Sequence, residues 1–101
     1  MSKLNIDLQE IAPRWKAKGF SFGVFTDPPG QVWKDFVHDT DEILMVVQGE
    51  MELEMQGPTI RCEIGKEILI PAGVVHTVRN VGKTSSQWLY GYKEEPGSYA
   101  H

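Results

Sequence analysis

The sequence predicts an all-β sandwich or barrel with at most one short helix. Three observations predict it. Short runs rich in branched and aromatic residues recur along the 101-residue chain, ten glycines and six prolines punctuate them, and several runs alternate apolar and polar residues with the period of a strand.

Taken in order, residues 1–19 form an N-terminal arm in which Pro13 sits at the first turn of a short helix, Pro13 to Lys18, with Gly19 as its stop. Phe20 to Phe25 alternates apolar and small residues and reads as the first strand. Asp27-Pro28-Pro29-Gly30 is a dense turn signal, and Gln31 to Val37 is the next strand. Ile43 to Val47 is a continuous apolar run, buried on both sides, which Gln48-Gly49 turns into the alternating strand Glu50 to Gln56. There Met51, Leu53 and Met55 face the core and Glu50, Glu52 and Glu54 face water. After the break at Gly57-Pro58, strands follow at Thr59 to Glu63 and Glu67 to Ile70. Pro71-Ala72-Gly73 fixes φ at one position and permits positive φ two residues later, so the chain turns tightly. Val74 to Asn80 resumes as a strand with His76 and Val78 on one face. A polar loop, Val81 to Ser86, leads to a last strand, Gln87 to Lys93, with Trp88, Tyr90 and Tyr92 on one face, and the tail EEPGSYAH is expected to be loose.

Length and composition narrow the possibilities. A chain this size is one domain that buries roughly 65% of its unfolded surface. The single cysteine, Cys62, has no partner for an internal disulfide and reads as a half-buried structural thiol. The N-terminus lacks an apolar secretory core and no stretch is long and apolar enough for a membrane span, so the expectation is a cytoplasmic protein with no membrane partner. The net charge of −4, with acids concentrated between Asp35 and Glu54 and no basic stripe, argues against a nucleic-acid partner.

The segment from Gly65 to Asn80, GKEILIPAGVVHTVRN, resembles the second conserved motif of the cupin superfamily. Gly65, Pro71, Gly73, His76 and Asn80 match that motif at every required spacing. Upstream, His38-Asp39-Thr40-Asp41-Glu42 followed by Gly49 is similar to the first cupin motif, in which a His-x-His pair precedes a glutamate and then a glycine. The motifs and the strands between them span most of residues 31 to 92. The resemblance implies a small single-domain cupin, a double-stranded β-helix or jelly-roll barrel over about residues 20–93, followed by a tail at 94–101. It also implies that His38, Glu42 and His76 converge at the barrel mouth and hold a divalent transition metal: Fe, Mn, Ni, Zn or Cu.

One departure from the family pattern stands out. With three residues before Glu42, His38 is the second histidine of the pair and Phe36 stands where the first should be; with four, the pair becomes Asp35 and Val37. The first register is preferred because it keeps one histidine and puts Phe36 and His38 on the same face. The site then has three protein ligands instead of four. The plainer alternative is a lapsed site in which both histidines are merely hydrogen-bonded.

Phe36, Trp88 and Tyr90 are candidate substrate-binding residues lining the same cavity, whereas Tyr92 reads as core and Trp33, opposite Phe36, as packing between sheets or subunits. Ile43, Met45 and Val47 would lie outside the barrel, on a face that needs covering by the N-terminal segment or by a second copy in a homodimer. Two functions compete. One is a metal-dependent oxygenase or isomerase acting on a small organic molecule, with Tyr90 as the candidate acid or base. The other is a non-catalytic module that binds or senses a small ligand. Fold alone does not select between them.

Overall fold

The computed structural model describes residues 7–94 and contains one helix and eight strands. All but the first residue of the expected tail lies outside the described residues. Helix α1 (Leu8–Ala17) begins earlier than the sequence predicts, and Pro13 lies inside it instead of at its first turn. Asp7 supplies the cap, its Oδ1 accepting the Gln9 N–H at 2.9 Å. Ile11 and Trp15, one turn apart, are both buried, and their packing outweighs the backbone hydrogen bond that Pro13 removes. The helix stops as expected: Gly19 takes φ 89° while its N–H and that of Phe20 close on Lys16 O and Trp15 O, both at 2.9 Å.

The strands are β1 (Gly23–Asp27), β2 (Val32–Phe36), β3 (Glu42–Gln48), β4 (Met51–Met55), β5 (Thr59–Arg61), β6 (Ile68–Ile70), β7 (His76–Asn80) and β8 (Ser86–Tyr92). They form two antiparallel four-stranded sheets, in the orders β1-β8-β3-β6 and β2-β7-β4-β5, stacked as a jelly roll. Phe20 to Phe22 fall outside β1, because Phe20 makes only an isolated bridge to Lys93 and buries its ring beneath the helix.

Strand β3 positions everything else. Its inward residues Glu42, Leu44 and Val46 face Tyr92, Tyr90 and Trp88 across the ladder to β8. Leu44 and Val46 pack with Met51, Leu53, Cys62, Ile70 and Val78 between the sheets. The outward residues Ile43 and Met45 join Leu89, Phe20 and the two helix anchors in a second core. The apolar outer face is therefore covered by the chain's own helix. On β4 the alternation is as expected, and Glu54 meets Arg79 at 2.6 Å while Glu50 and Glu52 lie 3.6 and 3.8 Å from Arg61. Cys62 is buried, and that burial, with Glu52 nearby, pushes its thiol up to about 11.

Two close approaches explain motif residues. Gly49 has φ 94°, and a Cβ there would lie 2.2 Å from Ser86 Oγ. The buried Asn80 side chain donates to Asp27 O, Pro28 O and Thr84 O and accepts from the Gly82 N–H, tying the β1–β2 turn to the β7–β8 loop.

Strand β2 departs from the expectation. Trp33 pairs with Val78 and Phe36 with His76, so between these pairs two residues on β2, Lys34 and Asp35, oppose one on β7, Thr77. This is a bulge, with Asp35 at φ 58° and its N–H bonded to Thr77 Oγ1 at 3.0 Å. The extra residue brings Trp33 onto the same face as Phe36, with ring centroids 5.7 Å apart. Trp33 consequently packs inside the barrel, not on the opposite side.

The helix is latched by Glu67. Its carboxylate accepts from Arg14 at 2.8 Å, from the Trp15 indole at 2.9 Å and from Lys18 at 3.2 Å. Burial pushes this carboxyl up, but those hydrogen bonds and the Lys18 charge outweigh it and hold it at about 2. A depressed carboxylate stabilises the fold above its ordinary value of 4.5, and the contribution is lost as pH falls from 4.5 toward 2. We expect Glu67→Gln to cost about 1–2 kcal/mol at pH 7 after allowing for solvent screening. Urea denaturation from pH 7 to pH 2.5 should show the difference from wild type shrinking in the acid limb; a constant difference would mean that the latch acts through shape and not charge.

Candidate metal centre

Three side chains that are far apart in sequence are delivered to one point by the fold. Glu42 opens β3 and His76 opens β7, while His38 lies in the loop between β2 and β3. That loop is held against the Pro71–Gly73 turn: the Gly73 N–H donates to His38 O at 2.9 Å and the Ala72 N–H to Asp41 Oδ1 at 2.8 Å. The rigid turn before His76 and the polar segment before Glu42 therefore brace each other.

The ligand-type atoms of His38, Glu42 and His76 all lie within 4.8 Å of one another. Glu42 Oε1 is 3.4 Å from Nε2 of each histidine, yet it is buried and makes no hydrogen bond. His76 Nδ1 is 3.0 Å from Val74 O. A carbonyl only accepts, so Nδ1 carries the proton and the Nε2 lone pair faces Glu42. Burial pushes the Glu42 carboxyl up to about 7. Burial, then the nearby His76, lowers His38 against the opposing pull of Asp39. An orphaned buried oxygen between two imidazole nitrogens fits a divalent transition metal, which would satisfy all three groups at once.

The group opens into a cavity of about 180 Å³ whose remaining walls are almost entirely aromatic. Phe36, Trp88 and Tyr90 line it alongside the three polar residues. So do three residues that the sequence reading placed elsewhere or passed over. Trp33 enters through the bulge. Phe25 comes from β1 and pairs edge-on with Trp33 at 5.4 Å. Tyr92, expected as core, lies with its ring 4.8 Å from His38. The period-2 pattern of β8, which puts Tyr92 on one face with Trp88 and Tyr90, is the usable signal. Burial first, then the charges of Glu42 and Tyr90, raise the Tyr92 phenol. Among the described residues no lysine or arginine lines the cavity.

A family model described as "Cupin domain" matches residues 23–92. No curated protein is similar enough to the chain to count as a relative. Among solved structures, a conserved protein of unknown function from Streptococcus pyogenes is 26% identical, with a TM-score of 0.67, over 76% of this chain and 67% of its own. An oxalate oxidase is also 26% identical, with a TM-score of 0.68, over 76% of this chain but only 43% of its own. A predicted oxalate decarboxylase from Thermotoga maritima is 20% identical, with a TM-score of 0.68 over 81% of this chain and 73% of its own, a likeness of fold.

Glu42→Gln and His76→Ala should each lower divalent-cation affinity on the order of 100-fold while leaving the far-ultraviolet dichroism of the sheets unchanged. Calorimetric titration with Zn(II) or Mn(II) checks this; wild-type affinity in both variants would remove these residues from the ligand set.

Proposed function

The chain belongs to the cupin family, and from that premise we propose that it is a small metal-binding cupin that acts on a small organic molecule, with His38, Glu42 and His76 as ligands. The observation that carries this reading is the unpartnered, buried Glu42 Oε1 between the two histidine nitrogens. A divalent transition metal held there would supply Lewis-acid polarisation of a substrate oxygen or redox chemistry with dioxygen. The chain's own residues do the rest. Val74 O fixes the His76 tautomer. The aromatic walls exclude water and orient the substrate, with Phe36, Trp88 and Tyr90 contacting it. Tyr92 is better placed than Tyr90 to hold or donate a proton, because its ring packs on His38.

A second reading, a binding or sensing module without turnover, is favoured by one observation. Apart from the three proposed ligands and the two tyrosines, no titratable side chain among the described residues lines the cavity. The two readings share the metal and differ in turnover. A homodimer remains part of the proposal, although α1 already covers the outer face that made one attractive.

The test is elemental analysis of protein purified without a histidine tag or chelator, beside His38→Ala. Stoichiometric metal in the wild type that vanishes in the variant is the expected result, and metal-free wild type that stays empty after each candidate metal is added would overturn the reading. Metal-dependent dioxygen uptake or isomerisation then separates enzyme from binder. Phe36→His is expected to tighten metal binding roughly tenfold or more by adding a fourth ligand, since Phe36 and His38 present their rings to the same cavity with centroids 6.2 Å apart. Unchanged affinity in that variant would place the missing family histidine elsewhere.

A further inference from the structure

The cavity wall is a closed circuit of rings. On the β1–β2 side, Phe25 meets Trp33 at 5.4 Å and Trp33 meets Phe36 at 5.7 Å. Phe36 reaches His38 at 6.2 Å, and His38 reaches Tyr92 at 4.8 Å. Along β8, Tyr92 meets Tyr90 at 5.9 Å, Tyr90 meets Trp88 at 5.7 Å, and Trp88 returns to Phe25 at 5.7 Å. Every interplanar angle in the circuit lies between 57° and 87°, so none of these neighbours is stacked. They meet as walls meet at corners, around open space.

Behind this wall sits Asp27, fully buried at 0% exposure. Both of its oxygens accept from the Trp33 indole, at 3.0 and 3.1 Å, and one accepts from the Trp88 indole at 2.9 Å. Among the described residues it has no salt-bridge partner. The arrangement does two things. It fixes the planes of both indoles, and it sets an acid behind them on a cavity whose lining includes no lysine or arginine among the described residues. Indole is the strongest of the aromatic faces for a cation, and an acceptor on its N–H makes the ring more electron-rich.

We propose that the aromatic end of this cavity binds a quaternary ammonium headgroup. The ring faces and Asp27 attract the positive charge, while the ring carbons replace the water that such a poorly hydrated headgroup gives up. Among the described residues no lysine or arginine lines the cavity to favour an anion, and the two imidazoles are confined to its rim. The cavity volume of about 180 Å³ is roughly that of six waters in the liquid, so the ligand is small, a headgroup on a short tether. The proposal names a ligand class for the site read above as metal-dependent and rests on that reading only for where the ligand's oxygen end points.

The test uses choline and its neutral carbon isostere, 3,3-dimethylbutan-1-ol, titrated by tryptophan fluorescence and calorimetry into the chelator-treated full chain. Choline should bind at least about tenfold tighter than the isostere. Asp27→Asn should remove most of that preference while leaving isostere affinity in place. Phe36→Leu, at a half-exposed ring on which the core does not depend, should weaken choline severalfold and the isostere little. Equal binding of the two probes, or no binding of choline into the millimolar range, overturns the proposal. Zn(II) titration of the same preparation separates the readings: metal binding without choline binding overturns this inference alone, and choline binding without metal binding overturns only the metal centre.

Discussion

Strand β3 is obliged to bury both of its faces, and the molecule is arranged around that obligation. Leu44 and Val46 need the opposite sheet, whereas Ile43 and Met45 need a cover on the outside. The first requirement closes the barrel and the second recruits α1. Because side chains alternate strictly along a strand, the same phase that sends Leu44 and Val46 inward also sends Glu42 inward at the rim. A carboxyl buried there without a donor is costly unless something answers it. The position of the candidate centre is thus a consequence of how the core is packed.

Much of this was legible in the sequence because it is written in short-range terms. The alternation of Glu50 to Met55, the Pro71–Gly73 turn and the continuous apolar run after Glu42 each depend on a few neighbouring residues. The resemblance to the two cupin motifs implies that His38, Glu42 and His76 converge, and the structure sets their ligand-type atoms within 4.8 Å. What escaped was set at long range. The start of α1 depends on where Ile11 and Trp15 find a seat on β3 and β8, and that seating overrides the local weight of Pro13. The bulge at Asp35 exists only in register with β7, so a strict period of two put Trp33 on the wrong side. Aspartate tolerates positive φ better than most residues, a faint signal that Lys-Asp-Phe in the middle of a strand was not regular.

The site combines two environments that are usually apart. At the rim, two imidazoles and a carboxyl make a polar, cation-seeking group. Deeper in, the walls are rings, and the polar ends of Trp33 and Trp88 are turned away from the cavity toward Asp27. Asp27 is in turn seated by Asn80, which donates to its backbone carbonyl as well as to two neighbouring loops. A motif asparagine remote from the rim thereby supports the ring wall through one intermediate residue.

The coverage of the sheet by α1 bears on how the chain reaches its fold. The helix precedes every strand in chain order, yet its apolar side rests on Leu89 in the last strand as well as on β3, and its carboxylate latch lies more than 50 residues away. A ten-residue helix holds little structure alone in water. As the polypeptide emerges from a ribosome, the helix is made before the strands it rests on and is therefore among the last of the described elements to find its place, and until β8 arrives Trp15 and the outer side of β3 are not fully covered. Assembly dominated by such distant contacts is slow, and in that interval the apolar surface that the helix later covers stays exposed.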